Sequence, residues 1–294
     1  MTYTIENENL ICTIDSKGSE IKSVKDRKTQ KEYMWNGDPA FWGRTSPVLF
    51  PFVGGVKDKK YRYEGKTFEM SQHGFARDME FTLVSHKDDE IWMELNSTDD
   101  TLEKYPLKFL LKIGYRLKGR SLSVLWIVEN KNEKDMPFAI GAHPGFMMPL
   151  TEKHSFRLFD RNGNPVNSIE NRIFAGGGCV SDNTEVVDTP DGMLPITSHL
   201  FDGDALVVEH EQLGTVELIK EGEDTPEVSV KFDAPLVGLW SPPKKNAPFI
   251  CIEPWYGRCD SENFTGELKD REYEQILEAG REFSSEYVMT FGPA

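Results

Sequence analysis

The sequence predicts an all-β fold, a sandwich or a barrel of many short antiparallel strands. Three observations carry this. Short stretches alternate apolar and polar residues with the two-residue period of a half-buried strand. Clusters of Gly, Asn and Asp punctuate those stretches. Helical periodicity is scarce.

The predicted strands begin with Tyr3-Thr-Ile-Glu-Asn and Leu10-Ile-Cys-Thr-Ile. They continue with Ile91-Trp-Met-Glu-Leu, Phe109 to Tyr115 and Leu122 to Val128. The last are Ala205 to Glu209, Val216 to Ile219 and Val228 to Phe232. Turns are expected at Glu64-Gly65-Lys66, Lys118-Gly119, Asn130 to Asp135 and Asn162-Gly163-Asn164. One helical turn is expected at Asp38-Pro-Ala-Phe-Trp, with Asp38 as N-cap and Pro39 in the first position. Leu268 to Ala279 reads either as a helix or as a loop followed by a strand. Gly176-Gly177-Gly178 is a loop, because neither GxGxxG nor GK[ST] accompanies it. No repeat and no low-complexity linker divides the chain, so a single domain over residues 1–294 is expected.

Composition narrows the function classes. Hydrophobic residues make up 38% and charged residues 28%, the balance of a soluble globular protein. The net charge of −15 lacks the basic footprint that nucleic acid or an anionic membrane requires. No apolar run is long enough for a transmembrane helix. The polar, acidic start differs from a secretory signal. Cys12, Cys179, Cys251 and Cys259 form neither a CxxC pair nor a zinc spacing, so reduced thiols, a cytoplasmic location and no metal are expected. The Asn96-Ser97-Thr98 and Asn263-Phe264-Thr265 matches to the glycosylation pattern carry no weight in that setting.

The segment with most chemical content is Phe249-Ile250-Cys251-Ile252-Glu253-Pro254-Trp255. As a strand, it turns Ile250 and Ile252 to one face and Cys251 and Glu253 to the other. Pro254 cannot donate to a ladder, so the strand is expected to end there. A carboxylate beside an indole suits a sugar, whose ring stacks on the aromatic while its hydroxyls meet the carboxylate. An ordinary glutamate at a sheet rim has the same local sequence. Gly141-Ala142-His143-Pro144-Gly145-Phe146 sets one histidine in a Gly/Pro-rich turn, and paired with a glutamate it would make an acid–base couple. Gln72-His73-Gly74-Phe75-Ala76-Arg77 gathers amide, imidazole and guanidinium donors suited to hydroxyl oxygens. Gly43-Arg44-Thr45-Ser46-Pro47-Val48-Leu49-Phe50-Pro51-Phe52-Val53-Gly54-Gly55 reads as a basic residue opening an apolar strand. The other histidines, His86, His154, His199 and His210, have no motif around them and are expected at the surface or in structural roles. Lys244-Lys245 reads as a solvated loop.

With GRTSPVLFPFVGG, QHGFAR, GAHPGF and FICIEPW in that order, the chain resembles the aldose 1-epimerase (mutarotase) family, and within it the LacX-like bacterial branch. The resemblance runs from about Tyr3 to Phe291. It implies a large two-sheet antiparallel β-supersandwich of galactose mutarotase-like type. It also implies cofactor-free interconversion of the anomers of a free aldohexose, glucose or galactose. Glu253 would be the base at the anomeric hydroxyl and His143 the acid at the ring oxygen. His73 would bond the ring oxygen or a neighbouring hydroxyl. Arg44, Gln72 and Arg77 would hold hydroxyls. The family's cleft aspartate would be Asp204, with Asp233 as second choice. Trp255 and Trp240 are candidate stacking surfaces.

The expected charge state is an ionised Glu253 facing a protonated His143, each favouring the other. Three rivals stay open at this stage. A hexose-6-phosphate epimerase would use Arg44 and Arg77 on the phosphate. A non-catalytic sugar-binding protein would need no acid–base pair. A glycosidase would need a second carboxylate, Asp204 or Asp233, beside Glu253. The expected partner is a small sugar, and the oligomeric state is left open.

Overall fold

A computed structural model describes residues 1–293, so the last residue of the expected domain, Ala294, lies outside the described residues. The larger of two main antiparallel sheets has nine strands. In spatial order they are Met193–Pro195, His154–Phe159, Thr215–Lys220, Val228–Phe232, Glu282–Phe291, Ser121–Asn130, Phe109–Lys118, Glu90–Asn96 and Thr82–His86. The second sheet runs Cys179–Asp188, Ser168–Gly176, Leu206–Val208, Leu236–Trp240, Phe249–Tyr256, Ile140–Ala142 and Val48–Leu49, with Gly145–Met147 also paired to Phe249–Tyr256. A three-stranded sheet of Thr2–Glu6, Leu10–Asp15 and Glu20–Asp26 precedes them.

Alternation places the core. Leu122, Val124, Trp126 and Val128 of one sheet are buried in the same apolar cluster as Val237, Leu239, Ile250 and Ile252 of the other. The two sheets therefore pack face to face as a large sandwich. Each such buried side chain contributes about 1.5–3 kcal/mol of transfer free energy. The opposite face of the second sheet carries Cys251, Glu253 and Trp255, away from that cluster.

The short alternating strands form, with ends shifted by one to three residues. Of the apolar strand expected within Gly43–Gly55, only Val48–Leu49 is a strand, flanked by Pro47 and Pro51, which cannot donate to a ladder. The Asp38 turn forms as well. Asp38 Oδ1 accepts from Ala40 N at 2.9 Å, and its carbonyl accepts from Trp42 N at 2.9 Å. Leu268 to Ala279 resolves as a 3₁₀ turn at Leu268–Asp270 and a strand at Gln275–Leu277, which pairs with Met136–Phe138. The one α-helix among the described residues, Asp99–Lys104, has no counterpart in the sequence reading. Its signal is a capping box, in which Thr98 and Thr101 bond each other's backbone N–H at 3.3 and 2.8 Å.

Pro254 does not end its strand, which continues to Tyr256. On one side Pro254 stays in register with Val237. On the other, the neighbouring strands Ile140–Ala142 and Gly145–Met147 leave a gap at His143-Pro144. Beside that gap a ladder donor is dispensable.

Candidate functional site

The register that tolerates Pro254 also assembles the site. Trp255 pairs with Gly141 and Cys251 with Gly145. Continuing that antiparallel register sets His143 directly opposite Glu253. His143 Nδ1 lies 3.4 Å from Glu253 Oε1, with both side chains almost wholly buried. The GAHPGF turn is thus the interruption of a strand, and its histidine faces the carboxylate across it.

QHGFAR brings a second imidazole to the same place. Gly74 has φ +69°, and a Cβ there would collide with the Phe50 carbonyl, so the turn requires glycine. His73 N donates to the Gly54 carbonyl at 2.8 Å, and Gly54 N donates to His73 Nδ1 at 3.1 Å. With Nδ1 accepting, the proton of the neutral ring sits on Nε2, which makes His73 a hydrogen-bond donor. Its ring meets that of His143 edge to face, with centroids 5.7 Å apart.

These groups line a cavity of about 340 Å³, within the usual size range of small-molecule sites. Gln72, Arg77, Asp204, Trp240 and Trp255 line it too. Asp204, at φ +87°, caps its own turn through Ala205 N at 2.9 Å. Arg77 Nη2 donates to the Gln72 carbonyl at 2.7 Å, which ties the two ends of the motif together. Trp255 packs on Leu49, Val53 and Leu236. Glycines on both neighbouring strands, Gly141 and Gly238, leave room for its indole, since a Cβ on either would strike the ring.

Two expected residues lie elsewhere. Arg44 does not line the cavity. It lies in an adjoining groove with Lys17, Lys22 and Arg77, where its Nη2 is bound to Asp78 Oδ1 at 2.7 Å. The nearby Asp78 carboxylate draws the guanidinium away. Asp233 is exposed and outside the cavity, and its carbonyl accepts from Arg161 Nη2 at 2.6 Å. Asp204 is therefore the aspartate of the cavity.

Sequence reading missed Trp42, which stacks on the His143 ring with centroids 4.5 Å and planes 25° apart. Its placement depends on the Asp38 turn and on a bond from Trp35 Nε1 to the Trp42 carbonyl at 2.8 Å, so its only local signal was that turn. Lys245 is exposed as expected, but its Nζ bonds the Phe41 carbonyl at 3.0 Å and ties the Trp240–Phe249 loop to the same turn. His154 has a structural role, buried and 3.0 Å from Glu227.

Burial dominates the electrostatics. It holds Glu253 well above the usual carboxylate range, helped by the charge of Asp204. The Trp255 indole opposes the rise, although its N–H lacks the alignment of a full hydrogen bond. Burial also lowers His143 to about 3, with Arg77 and Arg44 adding to the effect, and keeps His73 well below the ordinary histidine value. The 3.4 Å contact favours an ion pair, whereas loss of water favours neutral partners. Burial prevails, because His143 Nδ1 has no aligned hydrogen bond to replace its water. Burial thus favours a neutral pair over the expected pair of charges. The two forms hold the same single proton and differ only in which partner carries it. Cys251 joins this pair. Its Sγ and the ligand atoms of His143 and Glu253 all lie within 4.8 Å of one another, a grouping that spacing along the chain could not reveal.

The two-sheet architecture is that of galactose mutarotase-like proteins. A family model described as aldose 1-epimerase matches residues 1–290, and the chain belongs to that family. It is 31% identical to the chromosomal protein LacX of Lactococcus lactis subsp. lactis, over 92% of this chain and 93% of that one. Among solved structures it is similar to a galactose mutarotase related enzyme from Lactobacillus acidophilus. That match has a TM-score of 0.92 and 34% identity, and covers 99% of this chain and 97% of that one. A galactose mutarotase-like protein from Lactobacillus casei matches at TM-score 0.89 and 31% identity, over 99% of both chains.

Proposed function

We propose that the protein catalyses cofactor-independent mutarotation of a free aldohexose, glucose or galactose. The observation that carries this reading is His143 facing Glu253 at 3.4 Å, in a cavity that also holds the His73 donor. The anomeric hydroxyl gives its proton to Glu253 while His143 gives one to the ring oxygen. The bond from C1 to the ring oxygen breaks, and C1 becomes an aldehyde. Rotation about C1–C2 and closure onto the other face return both protons.

The single proton shared by the pair suits this exchange. A sugar hydroxyl that bonds the Glu253 carboxylate stabilises its ionised form and moves the proton to His143, ready for transfer. His73 Nε2–H bonds the ring oxygen or a neighbouring hydroxyl as charge develops. Gln72, Arg77 and Asp204 hold the remaining hydroxyls, and Trp240 and Trp255 form apolar walls.

A second reading, hexose-6-phosphate epimerisation, has one observation in its favour. Arg77 lines both the cavity and the groove that holds Arg44, Lys17 and Lys22. The neutral sugar is preferred because Asp78, Asp15 and Glu20 share that groove and Asp78 occupies Arg44.

Polarimetry of freshly dissolved α-glucose, α-galactose and glucose 6-phosphate tests both readings, with a disaccharide as control. Faster anomer exchange on the neutral sugars is expected. A kcat/KM for glucose 6-phosphate about tenfold or more above that for glucose, some 1.4 kcal/mol, would favour the second reading. Binding without exchange would make the protein a sugar-binding module, and monosaccharide release from the disaccharide would make it a glycosidase.

A further inference from the structure

Cys251 has no place in the proposed reaction, yet it completes a set of ligands. It lies two residues before Glu253 on the same strand face and is fully buried. His143 reaches the same point from across the strand interruption, and its Nδ1 lacks an aligned hydrogen-bond partner. One thiol, one imidazole and one carboxylate thus converge with their ligand atoms within 4.8 Å. A tetrahedral zinc ion, with bonds of about 2.0–2.3 Å, needs its ligands roughly 3.5 Å apart. The His143–Glu253 separation of 3.4 Å already meets that spacing. Small rotations of the Cys251 and Glu253 side chains would close the rest. The fourth direction faces the cavity, because His143 and Glu253 line it.

We propose that His143, Cys251 and Glu253 form a site for one divalent ion of zinc-like preference, which excludes sugar when bound. A sulfur, nitrogen and oxygen donor set selects zinc over magnesium or calcium, which take oxygen ligands. Asp204 adds negative charge at the cavity, and Arg77 opposes it. Binding expels two protons to solvent, that of the Cys251 thiol as the S–Zn bond forms and the single proton held by the His143–Glu253 pair as the imidazole and carboxylate become ligands. Zinc is an inhibitor here, since it occupies the two groups that the mutarotation proposal assigns to proton transfer. The binding itself does not depend on that proposal.

The test is calorimetric titration of tag-free, EDTA-treated protein with zinc chloride in two buffers of different ionisation enthalpy. Expected are one ion per chain, a Kd tighter than about 10 μM, and a buffer-dependent heat that reports proton release. Cys251→Ser should weaken binding at least tenfold, and galactose should compete. If Cys251→Ser fails to fold, cobalt addition to the unaltered protein replaces it, and a thiolate-to-cobalt charge-transfer band is expected in the near ultraviolet. No binding at 100 μM zinc, on the order of a −5 kcal/mol ceiling, would overturn the proposal. Affinity unchanged by Cys251→Ser, or cobalt bound without the band, would overturn it equally. Zinc binding in a protein that shows no mutarotation would refute the proposed function and leave this site standing.

Discussion

Two buried polar clusters lie a few residues apart in this chain, and they differ in how their central groups are bonded. In the first, Arg271 Nε donates to Asp260 Oδ1, Nη1 to Glu274 Oε2 and Nη2 to the Arg258 carbonyl, each at 2.7 Å. Asp260 accepts in addition from Lys57 N at 2.8 Å, and Arg258 Nε lies 2.6 Å from Glu209 Oε1. The second cluster is the cavity. There His143 Nδ1, Arg77 Nε and Trp255 Nε1 are buried without an aligned partner, and burial favours the neutral forms of the carboxylate and imidazole. The Arg271 guanidinium has every nitrogen bonded within the protein, although Arg258 Nε, Glu209 Oε1 and Glu274 Oε1 around it lack an aligned hydrogen bond, and it anchors the chain that leaves the strand of Glu253. The cavity leaves its groups unsatisfied, which costs stability and leaves them available to a ligand.

The sharpest way to break this contrast is to remove one member of each cluster. His143→Asn should lower kcat by about 10²–10⁴, the usual worth of a general acid, with little change in Tm. Combining it with Glu253→Gln should cost little more than either alone, because the two act as a unit. Arg271→Ala should do the reverse. It strands two buried carboxylates and should destabilise the fold by about 3–5 kcal/mol. Turnover per folded molecule should stay near normal. Steady-state polarimetry with urea unfolding checks all of these, and a His143→Asn that unfolds while Arg271→Ala only slows turnover would invert the assignment.

The pH profile is the next largest effect. The active form of the pair holds one proton. A second proton adds only as His143 titrates, at about 3, and the single proton leaves only above the raised value of Glu253. The plateau of blank-corrected kcat/KM should therefore extend well below the ordinary histidine value of about 6.5. Activity at about pH 5 should remain within roughly threefold of that at pH 7. A fall of about tenfold or more, centred near 6.5, would mean that His143 is solvated and the neutral pair is wrong.

Arg77 and Arg44 should differ by less. Arg77→Ala should raise KM for galactose at least about tenfold, the loss of charge-assisted bonds to hydroxyls. Arg44→Ala breaks a partly exposed pair with Asp78, worth at most about 1 kcal/mol, and should change KM less than threefold. The smallest effect is expected from EDTA. Dialysis against it should leave mutarotation unchanged or slightly raised, whereas a loss restored by one divalent ion would show that catalysis needs a metal.

Much of this was legible in the sequence because the signals are local. Alternation in Leu122 to Val128 is enough to define a strand, and GAHPGF, QHGFAR and FICIEPW each carry a cavity-lining side chain within a few residues. What the sequence hid depends on partners far along the chain. Pro254 looks like a strand end until its neighbour is seen to break at His143-Pro144. Arg44 looks like a cavity residue until Asp78 is seen to hold it aside. Trp42 and Cys251 meet His143 only through folding. The proton on the Glu253–His143 pair follows from burial, which no motif displays.

The most direct test of the central claim is exchange NMR of the galactose anomers with Glu253→Gln, set beside calorimetric binding of galactose to the same variant. Mutarotation by the pair predicts that this variant still binds galactose within about tenfold of the unaltered protein. It also predicts anomer exchange at least about a hundredfold slower. A Glu253→Gln protein that binds galactose and exchanges its anomers at the unaltered rate would contradict the account.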